Sequence, residues 1–166
     1  MTEAGCRKKY ALSAAAAFIF IFIYEWAVHS VLLHPIYMQT ASVWRPMGEI
    51  QRMMPLVLLR HAALALLLAA VFLKCRARAG ACAVPTGTAA DTMPPSSGAY
   101  CPVKSGGACF GLTVGLLMGI IEAGSYAYIP IPASLAILWF AAALVEGLGV
   151  GIVLSAICHC CARKDA

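Results

Sequence analysis

Charge is the scarcest commodity in this chain. Only 11% of its 166 residues are Asp, Glu, Lys or Arg, whereas 62% are hydrophobic and the mean hydropathy is +0.85. A soluble domain is nearer half apolar and a quarter charged, so an ordinary water-soluble globule is excluded. Disorder of the whole chain is excluded too, because it needs low hydrophobicity and high charge. Enzyme signatures are also missing: no phosphate-binding glycine loop, no G-x-S-x-G elbow and no H-E-x-x-H. An enzyme is therefore not the reading that the motifs favour. The net charge is +5, yet no basic stripe is interleaved with aromatics, so a nucleic-acid partner is not expected.

What is present is length in apolar runs. Four segments, about 10–33, 55–73, 107–128 and 133–157, are each long enough to cross ~30 Å of hydrocarbon as a helix at ~1.5 Å per residue. The runs are continuous and do not alternate, which favours helices over barrel strands. Pro55 suits a first helical turn, and Ile129-Pro130-Ile131-Pro132 breaks the third run from the fourth. The first run is too long for a signal peptide and leads into Glu25-Trp26, with no small-residue cleavage site, so it is expected to remain.

Lys and Arg set the orientation. Arg7, Lys8, Lys9, Lys74, Arg76, Arg78, Lys104, Arg163 and Lys164 fall on one side, Arg45 and Arg52 on the other. The expected fold is an all-α integral membrane protein: a left-handed four-helix transmembrane bundle of two hairpins, both termini cytoplasmic, forming one membrane domain over residues 1–166. The segment 74–106, rich in Ala, Gly, Pro, Ser and Thr, reads as a flexible cytoplasmic linker. The loop from Pro35 to Met54 reads either as an amphipathic segment on the outer interface, with Tyr37 and Trp44 at headgroup depth, or as a plain connector.

The eight cysteines, Cys6, Cys75, Cys82, Cys101, Cys109, Cys158, Cys160 and Cys161, all fall on or near the cytoplasmic side, where thiols stay reduced. Cys158-His159-Cys160-Cys161 lacks the two to four intervening residues of known zinc spacings.

The most informative residues are the polar ones inside the spans: Glu25, His29, Arg60, His61, Glu122 and Glu146. Ionisable groups there are costly unless paired, so each is a candidate functional residue. Counted from the outer helix ends, His29 lies ~6 Å in, Arg60 and His61 ~8–9 Å, Glu122 ~10 Å and Glu25 ~12 Å, with Glu146 ~20 Å down. Five of the six thus share one layer in the outer half. Glu25 and His29 are i, i+4 on one face, as are Glu122 and Tyr126. Gly107, Gly111, Gly115 and Gly119 form a ladder, continued by Ala123, that lets helices approach closely. Gly147 and Gly151 repeat the spacing beside Glu146.

Three readings of this layer stand. It is a structural network in which Arg60 pairs with Glu25 or Glu122; a ligand or proton network, in which Glu25, His29, Arg60, His61, Glu122, Tyr126 and Glu146 serve a binding protein or carrier; or a metal site of Glu25, His29, His61 and Glu122. Against the metal, Arg60 places a cation beside it. The expectation is an accessory or binding protein without a resident cofactor. Its surroundings are the lipid bilayer and a second copy or another membrane protein. A proton- or ion-coupled transporter subunit is the alternative.

One likeness joins several of these residues. Glu25-x-x-x-His29, Leu33, Tyr37, Thr40 and Trp44-Arg45-Pro46 with Glu49, then Ile129-Pro130-Ile131-Pro132, Leu138-Trp139-Phe140 and Glu146 before a glycine-rich fourth helix, resemble a set of small uncharacterised four-helix bacterial inner-membrane proteins. The likeness covers three spans and the outer loops, and omits 74–106 and the Cys-rich tail. It implies fold and an inner-membrane, multi-pass location, and no activity.

Overall fold

The computed structural model of the chain describes residues 3–81 and 106–164, with side chains over 7–77 and 106–158. The described residues are almost wholly helical and contain no strand. In chain order the helices are α1 (Glu3–Ala27), α2 (His34–Gln39), α3 (Met47–Arg52), α4 (Met54–Ala81), α5 (Gly106–Gly124) and α6 (Ala133–Lys164). The stretches Arg7–Leu32, Met54–Ala77, Gly106–Ala127 and Ala133–Cys158 are each long and apolar enough to cross a membrane.

Proline decides where these helices stop. After α1 the chain widens into a π-helical turn, Val28–Leu32, closed by Leu33 N–H donating to the Val28 carbonyl at 2.8 Å. Pro35 follows; it lacks an N–H and its ring crowds the preceding turn, so the long helix cannot run on unbroken. It sits instead in the first turn of α2. At the other break the Pro132 carbonyl accepts from Leu135 N–H at 2.9 Å and starts α6.

α1 packs between α4 and α6, and α5 lies along α6. The backbones of α4 and α5 do not meet closely along their length. One core cluster joins Ala14, Ala17 and Ile21 of α1 to Ala65, Leu68, Ala69 and Phe72 of α4 and Val150 and Leu154 of α6. A second lies at the end carrying the α1–α4 and α5–α6 connections, here the mouth. There Val28, Leu33, Ile131, Leu135 and Ala136 take Tyr37, Val43 and Trp44 against them. The connector is therefore divided. Residues up to Trp44 fold down onto the bundle, while Met47 and Met53 around α3 stay exposed.

The 74–106 assignment needs one correction. α4 continues through Ala81, because Lys74, Arg76, Ala77 and Arg78 are good helix formers and no proline intervenes. The remainder, 82–105 with Cys82 and Cys101, lies outside the described residues. So do the side chains of Cys6, Cys160 and Cys161.

A candidate ligand cavity at the mouth of the bundle

At the mouth the bundle holds a cavity of about 440 Å³, lined by Glu25 and His29 from the first helix and its π turn, Leu56, Val57 and Arg60 from α4, Glu122 and Ser125 from the α5 end, and Trp139 from α6. Four of the ionisable residues expected in one layer thus line one space, contributed by three helical segments.

Glu25 is the hub. Arg60 Nη2 donates to both of its carboxylate oxygens, at 2.6 Å to Oε2. His61 Nε2 stands 3.1 Å from Oε2, close enough for an ion pair but not aligned as a hydrogen bond. The other His61 nitrogen, Nδ1, is 2.5 Å from the Val57 carbonyl one turn back, and so must carry a hydrogen to donate there. His61 is 2% exposed and sits behind Glu25, fixing it from the protein side. The Arg60 side chain is 56% exposed and fixes it from the open side.

His29 is held by a relay. Trp139 Nε1 donates to the Tyr37 hydroxyl at 2.8 Å, and Tyr37 lies 2.6 Å from His29 Nδ1 with the two rings parallel within 4°. Trp44 closes the group, with its ring edge-on to both Tyr37 and Trp139, and its Nε1 donates to Thr40 Oγ1 at 2.9 Å. Burial pushes the Tyr37 hydroxyl above its ordinary range, opposed by the Trp139 hydrogen bond and helped by the carboxylates of Glu122 and Glu25. Tyr37 therefore stays a neutral donor.

Glu122 and Ser125 face the cavity from one wall. Glu122 makes no hydrogen bond or ion pair among the described residues. Tyr126 does not join them. Beyond Gly124 the chain tightens into a 3₁₀ turn, Ser125–Ala127, whose three-residue period replaces the i, i+4 relation with i, i+3. Ser125 takes the inward position and Tyr126 is 53% exposed.

Glu146 is also apart. It is 9% exposed, with Oε1 unpartnered, beside a separate space of about 10 Å³ bounded by Ile21, Leu68, Val114 and Gly147. That volume suits at most about one water.

Among the described residues no group of three or more His, Cys, Asp or Glu is arranged to hold a metal ion. Glu25, committed to Arg60, and His61, turned to Val57, leave the proposed four-ligand set unassembled. Ser125 and Trp139 are cavity residues that sequence patterns did not single out as such, and Tyr37 was read as an interface anchor. The one prior signal was the loop's aromatic content. Comparison with protein-family models, curated proteins and solved structures finds no match.

Proposed function

We propose that the chain is a multi-pass membrane protein that binds a small polar ligand in the mouth cavity, acting as an accessory or binding protein with a second copy or another membrane protein. In this reading the four long helices span the bilayer. Both termini and the 74–106 segment face the cytoplasm, as the Lys and Arg count favours, in an inner membrane as the family resemblance implies. Lipid contact is supported by Ile19, Ile23, Leu59, Leu67, Leu117, Ile121, Ile137, Val145 and Ile152, each more than half exposed. Exposed apolar surface spread over all four helices suits hydrocarbon better than water.

One observation carries the binding function: a 440 Å³ space lined by two carboxylates, a guanidinium, an imidazole and a hydroxyl, inside a bundle whose outer faces are aliphatic. A purely structural network would pair all of its charges with one another. Here Glu25 and Arg60 do so, while Glu122 opens into the space without a partner.

Sided labelling tests this. Ser125→Cys should react, at a site identified by mass, with a membrane-impermeant maleimide added from the extracytoplasmic side. Thr113→Cys, on the exposed face of α5 nearer its start, should not. Equal protection at both positions would remove the polar cavity from the reading.

A transporter subunit is the second reading, favoured by the unpartnered Glu146 carboxyl deeper in the bundle. It requires that Glu146→Gln abolish uptake in proteoliposomes while leaving thermal stability unchanged.

A further inference from the structure

The uncommitted groups of the cavity specify the chemistry of its ligand, given the reading above that a small polar molecule binds there. Both Arg60 bonds to Glu25 leave from Nη2, so Nη1 and Nε have no partner among the described residues. The Tyr37 oxygen accepts from Trp139, and the arrangement that uses both roles of the hydroxyl gives its hydrogen to His29 Nδ1, 2.6 Å away. A neutral His29 then carries its ring hydrogen on Nε2, the nitrogen left for the cavity. These groups, from α4 and the π turn, are donors. On the α5 side the Glu122 carboxyl and the Ser125 hydroxyl have no side-chain partner; the carboxylate accepts, and the hydroxyl can accept as well as donate.

The lining is thus dipolar, with donors on one wall and a carboxylate on the other. An isolated cation at Glu122 would leave Nη1 and Nε of Arg60 without an acceptor, and an isolated anion at Arg60 would leave Glu122 facing it unpaired. Unmatched polar groups in a low-dielectric site are costly, so the best occupant satisfies both walls. A quaternary ammonium has no N–H to give to Glu122 and Ser125, whereas a primary ammonium has three.

We propose that the cavity binds a small zwitterion carrying a primary ammonium and an anionic group. The ammonium is held by Glu122 and Ser125, and the carboxylate or phosphate by Arg60 and His29. Two sources share this chemistry: a free α-amino acid, and a phosphoethanolamine headgroup reaching in from the bilayer.

The test uses the full chain purified in maltoside. Alanine, glycerophosphoethanolamine, ethanolamine and inorganic phosphate are titrated by calorimetry, and phosphatidylethanolamine is weighed against phosphatidylcholine by native mass spectrometry. A zwitterion should bind at least about 10-fold more tightly than ethanolamine or phosphate alone. Glu122→Gln and Arg60→Lys should each weaken it roughly 10- to 100-fold, the worth of one charge-assisted hydrogen bond, without moving the melting temperature by more than a few degrees. Arg60→Lys keeps a charge for Glu25, so loss of the fold is not the expected cause of its effect. Retention of phosphatidylethanolamine over phosphatidylcholine identifies the headgroup as the source, and alanine binding without lipid preference identifies the free molecule. Ethanolamine or phosphate alone binding as tightly as the zwitterion overturns the proposal but leaves a polar cavity in place. Binding of none of these probes, with Ser125→Cys still labelled, overturns the zwitterion alone; with Ser125→Cys protected, the cavity reading falls as well.

Discussion

The α5–α6 seam and the α1–α4 seam join long apolar helices by opposite means. Along α5–α6 the backbones touch. A Cβ on Gly107 would stand 2.6 Å from the Gly151 carbonyl oxygen, and one on Gly147 would stand 2.5 Å from that of Gly111. Along α1–α4, side chains fill the interface: alanines, Ile21 and Leu68 toward the termini, then Glu25, Arg60 and His61 toward the mouth. The ion pair lies on the second seam, because a backbone-to-backbone contact leaves no volume for a carboxylate between its two helices. The glycine seam serves the site differently, by holding the Glu122 wall in register with Trp139 on α6.

The largest expected effect tests the tight seam. A Cβ on Gly111 would lie 2.9 Å from the Leu148 Cα and 3.0 Å from the Gly147 carbonyl carbon, and backbone cannot swing aside as a side-chain tip can. Gly111→Val should therefore cost about 3 kcal/mol, at the upper end for overpacking, read from unfolding in a titration with sodium dodecyl sulfate. Gly124→Ala, where a Cβ meets nothing within 4 Å, should be neutral or stabilising by up to about 1 kcal/mol. Equal unfolding midpoints for the two variants would erase the distinction between the seams.

The next effect tests the polar seam. Glu25→Ala removes the carboxylate that Arg60 grips and that lies 3.1 Å from Nε2 of His61, whose side chain is 3% exposed. The loss should be about 2 kcal/mol, mostly from the gap left beside the buried histidine. The Arg60 side contributes less, because its half-exposed side chain is screened. Hydrogen exchange should accelerate in α1 and α4 and stay unchanged in the middle of α5. Uniform acceleration across all four helices would show that the seams unfold as one unit.

A smaller loss is expected at the loop. Tyr37→Phe removes the bridge between Trp139 and His29 and should cost about 1 kcal/mol. Its pH signature separates it from packing changes. Burial raises the Tyr37 hydroxyl above the ordinary tyrosine value of 10.0, so the unfolded state ionises first. The stability is fully present below that value and is lost as pH rises through the folded one. Tryptophan fluorescence should report a loosening of the wild-type mouth above about pH 10 that Tyr37→Phe blunts. Identical alkaline profiles would remove Tyr37 from the relay.

Much of this was legible from the sequence because it rests on long-range repetition. Pro35, Pro55 and Pro132 mark bounds of the apolar runs, and a four-residue glycine spacing marks one stripe of a helix whatever it packs against. Rise per residue alone put Glu25, His29, Arg60 and Glu122 at one level along their helices, and the four line one cavity. What escaped was local backbone form. The π turn at Val28–Leu32 and the 3₁₀ turn at Ser125–Ala127 change the rotation per residue by amounts that no apolar period reports. Tyr126 was therefore assigned the inward place that Ser125 occupies. Glu146 was grouped with the others by chemistry, although depth set it apart. The fold-back of Tyr37 and Trp44 onto the mouth depends on tertiary packing with Ile131 and Leu135, which spacing along the chain does not encode.

The smallest expected effect compares two pairs of the same chemistry. Arg45 and Glu49 form an i, i+4 pair on the loop at 3.5 Å, with side chains 65% and 54% exposed. Arg60 and Glu25 join two helices, with Glu25 only 17% exposed. Water screens the first pair, and ordering its long side chains offsets most of the Coulombic gain, so Glu49→Gln should change stability by at most about 0.5 kcal/mol. That residue should vanish into experimental error at 1 M salt, where screening acts over about 3 Å. Placement, and not the identity of the ion pair, would then account for the difference from Glu25→Ala. A loss above 1 kcal/mol at Glu49 would instead mean that the loop is covered in the working assembly, which would put the partner surface beside the cavity mouth.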